Sequence, residues 1–153
     1  MSDQGFSFSD QKLRDIAAEI LEYAKGRGAS ACEADVSEGY GQSVSVQCGE
    51  VETIEYNRDK GIGVTVYLGQ QRGYASSSDF SRDALRATVD AALSIARFTA
   101  PDPCAGLPEE KLLAREFGDL DLFHPWNLPV EQAIDLARRC EDAAFAVSPM
   151  VRN

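Results

Sequence analysis

Residues 57–81 read NRDKGIGVTVYLGQQRGYASSSDFS. Ile62, Val64 and Val66 fall two apart and face one way, the mark of a strand with one buried face. "RDKG" at 58–61 reads as the turn leading in, because Asp59 can bond nearby backbone and Gly61 accepts positive φ. "GQQ" at 69–71 reads as the turn leading out, and "RGYASSS" returns as a further strand.

The same period extends upstream. Cys32, Ala34 and Val36 alternate with Glu33, Asp35 and Ser37, and Val44, Val46 and Cys48 alternate with Ser43, Ser45 and Gln47. "GE" at 49–50 can turn the chain into "VETIEYN", whose apolar face is less sharply drawn. The expectation is a meander of about five short strands, mainly antiparallel.

Helical periodicity brackets this region. Leu13, Ile16, Ala17, Ile20, Leu21 and Ala24 make one apolar face, with Ser9 as N-cap and Gly26 and Gly28 as the stop. Phe8 and Leu13 have the spacing of a hydrophobic staple, and Phe80 and Leu85 repeat it around the cap at Ser81. The second helix would bury Leu85, Val89, Ala92, Ile95 and Ala96. Thr88 lies on the same face and bonds back to a carbonyl one turn earlier. Pro101 and Pro103 end that helix. Residues 99–129 form a long connection with a short helix expected at "PEEKLLARE". Leu120, Leu122, Phe123 and Trp126 imply that the connection packs down. A third helix from about Pro129 carries Val130, Ala133, Ile134, Ala137, Cys140 and Ala144. The fold class is therefore α+β: a mainly antiparallel sheet of about five strands packed by two to three helices.

The chain has 153 residues, 44% of them hydrophobic, with a net charge of −10. That composition suits one globular domain, and the charge disfavours direct contact with nucleic acid or an anionic membrane. "MSDQGFSFSD" lacks the basic and apolar regions of a secretion signal, and no apolar run is long enough to span a bilayer. Cys32, Cys48, Cys104 and Cys140 are scattered, with no C-x-x-C, so reduced thiols in the cytoplasm are expected.

Four chemistries can be tested on the residues. Gly61 and Gly63 interrupt a strand and are not followed by G-K-[ST], so they do not make a phosphate loop; they permit turns and close backbone approach. Ser76, Ser77 and Ser78 lack the G-x-S-x-G context and lead into the helix cap. A serine or Cys104 nucleophile would depend on His124, the one histidine. Glu109, Glu110, Asp119 and Asp121 read as solvated charge, and the residues supply no clustered zinc ligands. No catalytic, cofactor-binding or metal-binding residue is assigned.

Three segments resemble a known family: "GEVETIEYNRDKGIGVTVYLGQQRGYASSSDFS", "IARFTAPDPCAGLPEEKLLA" and "DLDLFHPW". They are similar to the N-terminal part of the PmbA, or TldE, proteins, and the resemblance is weakest over the first thirty residues. "PDPCAG" and "DLDLFHP" look closer to TldE than to its paralogue TldD. The resemblance implies that residues 1–153 are a single N-terminal domain cut from a chain roughly three times as long. It implies a cytoplasmic heterodimer with a TldD-like subunit, acting as a metalloprotease on unfolded or modified peptides. The zinc motif H-E-x-x-x-H belongs to the TldD-like partner and is absent from this sequence, so no cofactor is expected in this segment. The family's older label, modulator of DNA gyrase, sits badly with a charge of −10 if it is read as DNA contact. A stand-alone module that docks a protein or peptide at an open sheet edge is the alternative.

Overall fold

A computed structural model describes residues 5–116, 118–148 and 150–151. The leader reading of "MSDQGFSFSD" and the chain end at "SPMVRN" fall partly outside these residues. The element order is α1 (Asp10–Gly26), β1 (Ala31–Gln47), β2 (Glu50–Leu68), β3 (Gln71–Ser77), α2 (Arg82–Phe98), a single 3-10 turn (Glu110–Leu112) and α3 (Val130–Val147). The described strands form one sheet in the order β1-β2-β3, and β2 pairs antiparallel with β3 from Ile62↔Ser77 to Leu68↔Gln71.

The α+β class holds, but three strands replace the five expected. Backbone torsions give the reason. Positive φ occurs at Cys48 (53°) and Gly49 (81°), and again at Gly69 (62°). Those two sites turn the chain. Gly39, Gly41 and Gly61 are not among the positive-φ glycines, and the strands continue through them without a turn. The expected turn at 58–61 is instead mid-strand, and each long strand merges two of the short ones. Positive φ at both central residues of the 48–49 turn matches the type I′ hairpin, whose twist suits flanking strands.

The helix boundaries follow their caps. Ser9 Oγ accepts from Lys12 N at 3.2 Å, and Ser81 Oγ accepts from Ala84 N at 3.4 Å. At the end of α1, Gly28 N donates to Lys25 O and Ala29 N to Ala24 O, the paired bonds of a Schellman stop, with Gly28 at φ 93°. Phe8 and Phe80, the two residues before the caps, also meet each other with ring centroids 5.1 Å apart. The Lys60 ammonium lies 5.6 Å and 5.2 Å from those centroids, within cation–π range.

The chain divides into two compact units. The first takes in residues up to Gly39 with Arg58–Arg115; the second takes in Tyr40–Asn57 with the residues from Glu116 onward. In the first, α1 and α2 cover one face of the sheet. Ile16, Ile20, Ile62, Val64, Val66, Leu85, Val89 and Leu93 form the buried core. Leu93 replaces Ile95 on the buried stripe of α2 and Ile95 is exposed, because Leu85, Val89 and Leu93 follow successive four-residue steps. Leu21, expected on the apolar face of α1, is also exposed. Thr88 Oγ1 donates to Ala84 O at 2.8 Å, as its helical position implies. Gly73 marks a close approach of helix and sheet: a Cβ there would stand 2.0 Å from Ala92 O and 2.5 Å from Ala96 N. Only glycine on β3 and alanines on α2 allow that approach.

In the second unit, α3 meets the hairpin tip through polar groups. Glu141 accepts from Cys48 N and Gly49 N, each at 2.6 Å, and Arg138 Nε donates to Gly49 O at 2.9 Å. The half-buried side of α3 runs through Ala133, Ile134, Ala137, Glu141 and Phe145, leaving Cys140 and Ala144 exposed, contrary to the expected stripe. Glu141 takes the inward position because its carboxylate satisfies two turn amides. The "PEEKLLARE" helix shrinks to one 3-10 turn. Leu122 and Trp126 remain 82% and 72% exposed, so residues 118–129 do not pack down as their apolar content implied. Pro125 and Pro129 flank a stretch without regular structure, which gives its side chains no common face.

Candidate functional site

Alternation along each strand assigns one set of side chains to the helices and the other to the opposite face. Cys32, Ala34, Val36, Ile62, Val64, Val66 and Ala75 turn toward α1 and α2. Their neighbours Glu33 and Asp35 on β1, Gly61, Gly63 and Thr65 on β2, and Tyr74 on β3 line a trough of about 890 Å3. Its floor is made of small groups from the central strand. One wall is acidic; the other carries a tyrosine and the serines at the end of β3. A Cβ at Gly63 would lie 3.2 Å from Tyr74 Oη, so the tyrosine ring leans across that glycine.

Hydrogen bonds fix the first wall. Tyr67 Oη donates to Glu33 Oε1 at 2.7 Å. That bond to Glu33, with burial, raises the Tyr67 phenol above its ordinary range. Behind the wall, burial pushes the Cys32 thiol up to about 11, with the Glu33 charge adding to it. Cys32 is therefore a packing residue and not an activated nucleophile.

The N-terminal segment is strapped to the same unit. Ser7 N and Phe8 N donate to the Glu38 carboxylate, and Arg58 donates to Gly5 O and Ser7 Oγ. Burial pulls the Glu38 carboxyl up, but the amide bonds from Ser7 and Phe8 and the Arg58 charge together hold it below its ordinary value. The Asp79 carboxyl is also lowered, first by the Ser81 amide.

Of the candidate residues from the sequence, Gly61, Gly63 and Ser76–Ser78 share the trough, whereas Cys104, His124 and the carboxylates at 109, 110, 119 and 121 do not line it. Gly61 and Gly63 lie inside β2 and do not join a strand end to a helix start. Ser77 Oγ accepts from Asp79 N, and Asp79 Oδ1 accepts from Ser81 N, so the serine run leads into the cap of α2. Cys104 is exposed in a turn where its N–H donates to Asp102 Oδ1. His124 Nε2 lies 2.6 Å from Asp121 O, on an exposed stretch. Glu109 pairs with Lys111 and Glu110 with Arg115, both in solvent. No disulfide joins the four cysteines. Among the described residues no three His, Cys, Asp or Glu side chains stand together as a metal site, so this donor set does not fit a zinc ion. No described helix is long and apolar enough to cross a membrane.

Residues 32–96, from β1 through α2, match the family model described as PmbA/TldA metallopeptidase domain 1. The chain is 46% identical over 141 residues to "Metalloprotease PmbA" of Escherichia coli O157:H7, covering 92% of this chain and 31% of that protein. The chain belongs to the PmbA/TldD family. It matches the family's N-terminal domain and spans about a third of the length of the curated relatives. Solved structures carry the same fold. A Bacteroides thetaiotaomicron protein described as a modulator of DNA gyrase superposes with a TM-score of 0.72 at 14% identity, over 88% of this chain and 31% of that one. TldE from Thermococcus kodakarensis superposes with a TM-score of 0.61 at 16% identity, over 83% and 30%. The PmbA/TldD match lies on the sheet and on the helix that covers it. The trough had a partial signal in the sequence, the alternation of Glu33 and Asp35 with Cys32 and Ala34. Gly73 had none, because its role is set by a helix that follows it in the chain.

Proposed function

We propose that this chain is the N-terminal domain of a TldE-like subunit in a heterodimeric cytoplasmic metalloprotease that cleaves unfolded or modified peptides. The supporting observation is the 46% identity to a metalloprotease PmbA across nearly the whole chain. In this reading the TldD-like partner supplies the H-E-x-x-x-H zinc site, and the present domain shapes the assembly and peptide access. No step is assigned to this chain's own residues. Direct nucleic-acid contact forms no part of the reading, given the charge of −10.

Co-expression with a TldD-like chain tests it. Joint purification with zinc bound to the partner is expected, together with metal-dependent peptide cleavage that the isolated chain lacks. Proteolysis by the isolated chain overturns the reading. A second reading, a docking module without enzymatic activity, draws on the outer edges of β1 and β3 in a three-stranded sheet. Failure to pair with any TldD-like chain favours it.

A further inference from the structure

Gly61 and Gly63 stand two residues apart on one face of the central strand. A strand glycine is less stable than alanine there by about 0.5–1 kcal/mol. Neither has a positive φ, so the backbone does not require glycine. A Cβ at Gly61 would meet nothing within 4 Å, and at Gly63 its nearest neighbours would be the hydroxyl and ring of Tyr74. Folding of the free chain thus gives no reason for Gly61. Strand glycines without a packing reason mark places where another backbone comes close. The wall beside them carries Glu33 and Asp35, and neither carboxylate is ion-paired among the described residues.

We propose that this trough binds an extended polypeptide segment carrying lysine or arginine. Its backbone lies on the Gly61 and Gly63 floor and its cationic side chains meet Glu33 and Asp35. Extended backbone fits a flat floor without Cβ atoms, and two carboxylates along one wall that lack a cationic partner select positive charge, Glu33 keeping its bond from Tyr67 Oη. The inference concerns the isolated chain and needs neither a metal nor a partner subunit.

The probe is a fluorescein-labelled peptide alternating lysine and threonine, titrated into the isolated chain by anisotropy. Its counterpart with glutamate for lysine is the control. Binding of the basic peptide alone is expected. Gly61→Val should weaken it at least about tenfold while the melting temperature holds or rises, because a β-branched residue suits the strand and has free space. The exposed pair Glu33→Gln with Asp35→Asn should also weaken it about tenfold and flatten its salt dependence. No binding of the basic peptide overturns the proposal. So does wild-type affinity in the double variant, which would assign attraction to the diffuse charge, or wild-type affinity in folded Gly61→Val. Such a failure leaves the subunit reading standing, since co-purification and cleavage are read separately.

Discussion

The first unit places Val64, Val66 and Val89 wholly out of solvent, while no described residue of the second is buried. Both contain a helix against strands, yet they are held differently. One excludes water from a continuous apolar layer between α1, α2 and the sheet. The other relies on a ladder and on a carboxylate and a guanidinium gripping a turn. Apolar burial is insensitive to direction and scales with area, whereas polar grips depend on a few atoms. Substitutions should therefore damage the first unit through volume and the second through single bonds.

The sharpest way to break this contrast is Gly73→Ala. The new Cβ meets backbone atoms of α2, which cannot step aside as a side chain can. A loss of about 4 kcal/mol or more in urea unfolding is expected. A loss below about 1 kcal/mol would mean that helix and sheet are not in rigid contact.

Next, Leu93→Ala should cost about 3 kcal/mol, as for a fully buried leucine, while Ile134→Ala on half-buried α3 should cost less than about 1 kcal/mol. Equal losses would erase the distinction between the units. A smaller effect comes from Glu141→Ala. It removes the acceptors of two amides at the hairpin tip, a local cost of about 1 kcal/mol at this half-buried site. Amide exchange at Cys48 and Gly49 should quicken while exchange in β3 stays as it was. Uniform quickening would tie the grip to global stability.

The smallest effect is pH dependence in the first unit. Glu38 and Asp79 have lowered carboxyl pKa values in the folded state. Their contribution is complete above the ordinary carboxylate range of about 4 and is lost as pH falls through the folded values. Glu38→Gln with Asp79→Asn should flatten the acid side of the melting curve and leave the neutral side parallel to wild type. An unchanged acid limb would remove these two groups from the account.

Part of this was legible in the sequence. Ser9 and Ser81 declared the helix starts, because a cap is a local bond between neighbours. Ile62, Val64 and Val66 declared a buried strand face by period alone. The number of strands was not legible, since Gly61 and Gly69 look alike in sequence and differ only in φ. The preference for Leu93 over Ile95 rested on where the sheet meets α2, which no local pattern encodes. The trough shared this difficulty. Glu33 and Asp35 were visibly on the polar side of a strand, but their facing a glycine floor required the register and the continuation of β2 through Gly61 without a turn.

The grip of α3 on the hairpin also bears on the order of events during synthesis. Glu141 lies 92 residues after the Gly49 amide it accepts from. At about 5–20 residues per second on the ribosome, the tip waits several seconds for that acceptor to emerge. During that interval the hairpin of residues 40–57 is complete in sequence but lacks its clasp, and it offers the exposed Ile54 and Tyr56 to whatever is near. A nascent chain of this kind has a window, bounded by the emergence of a single carboxylate, in which a chaperone can engage it.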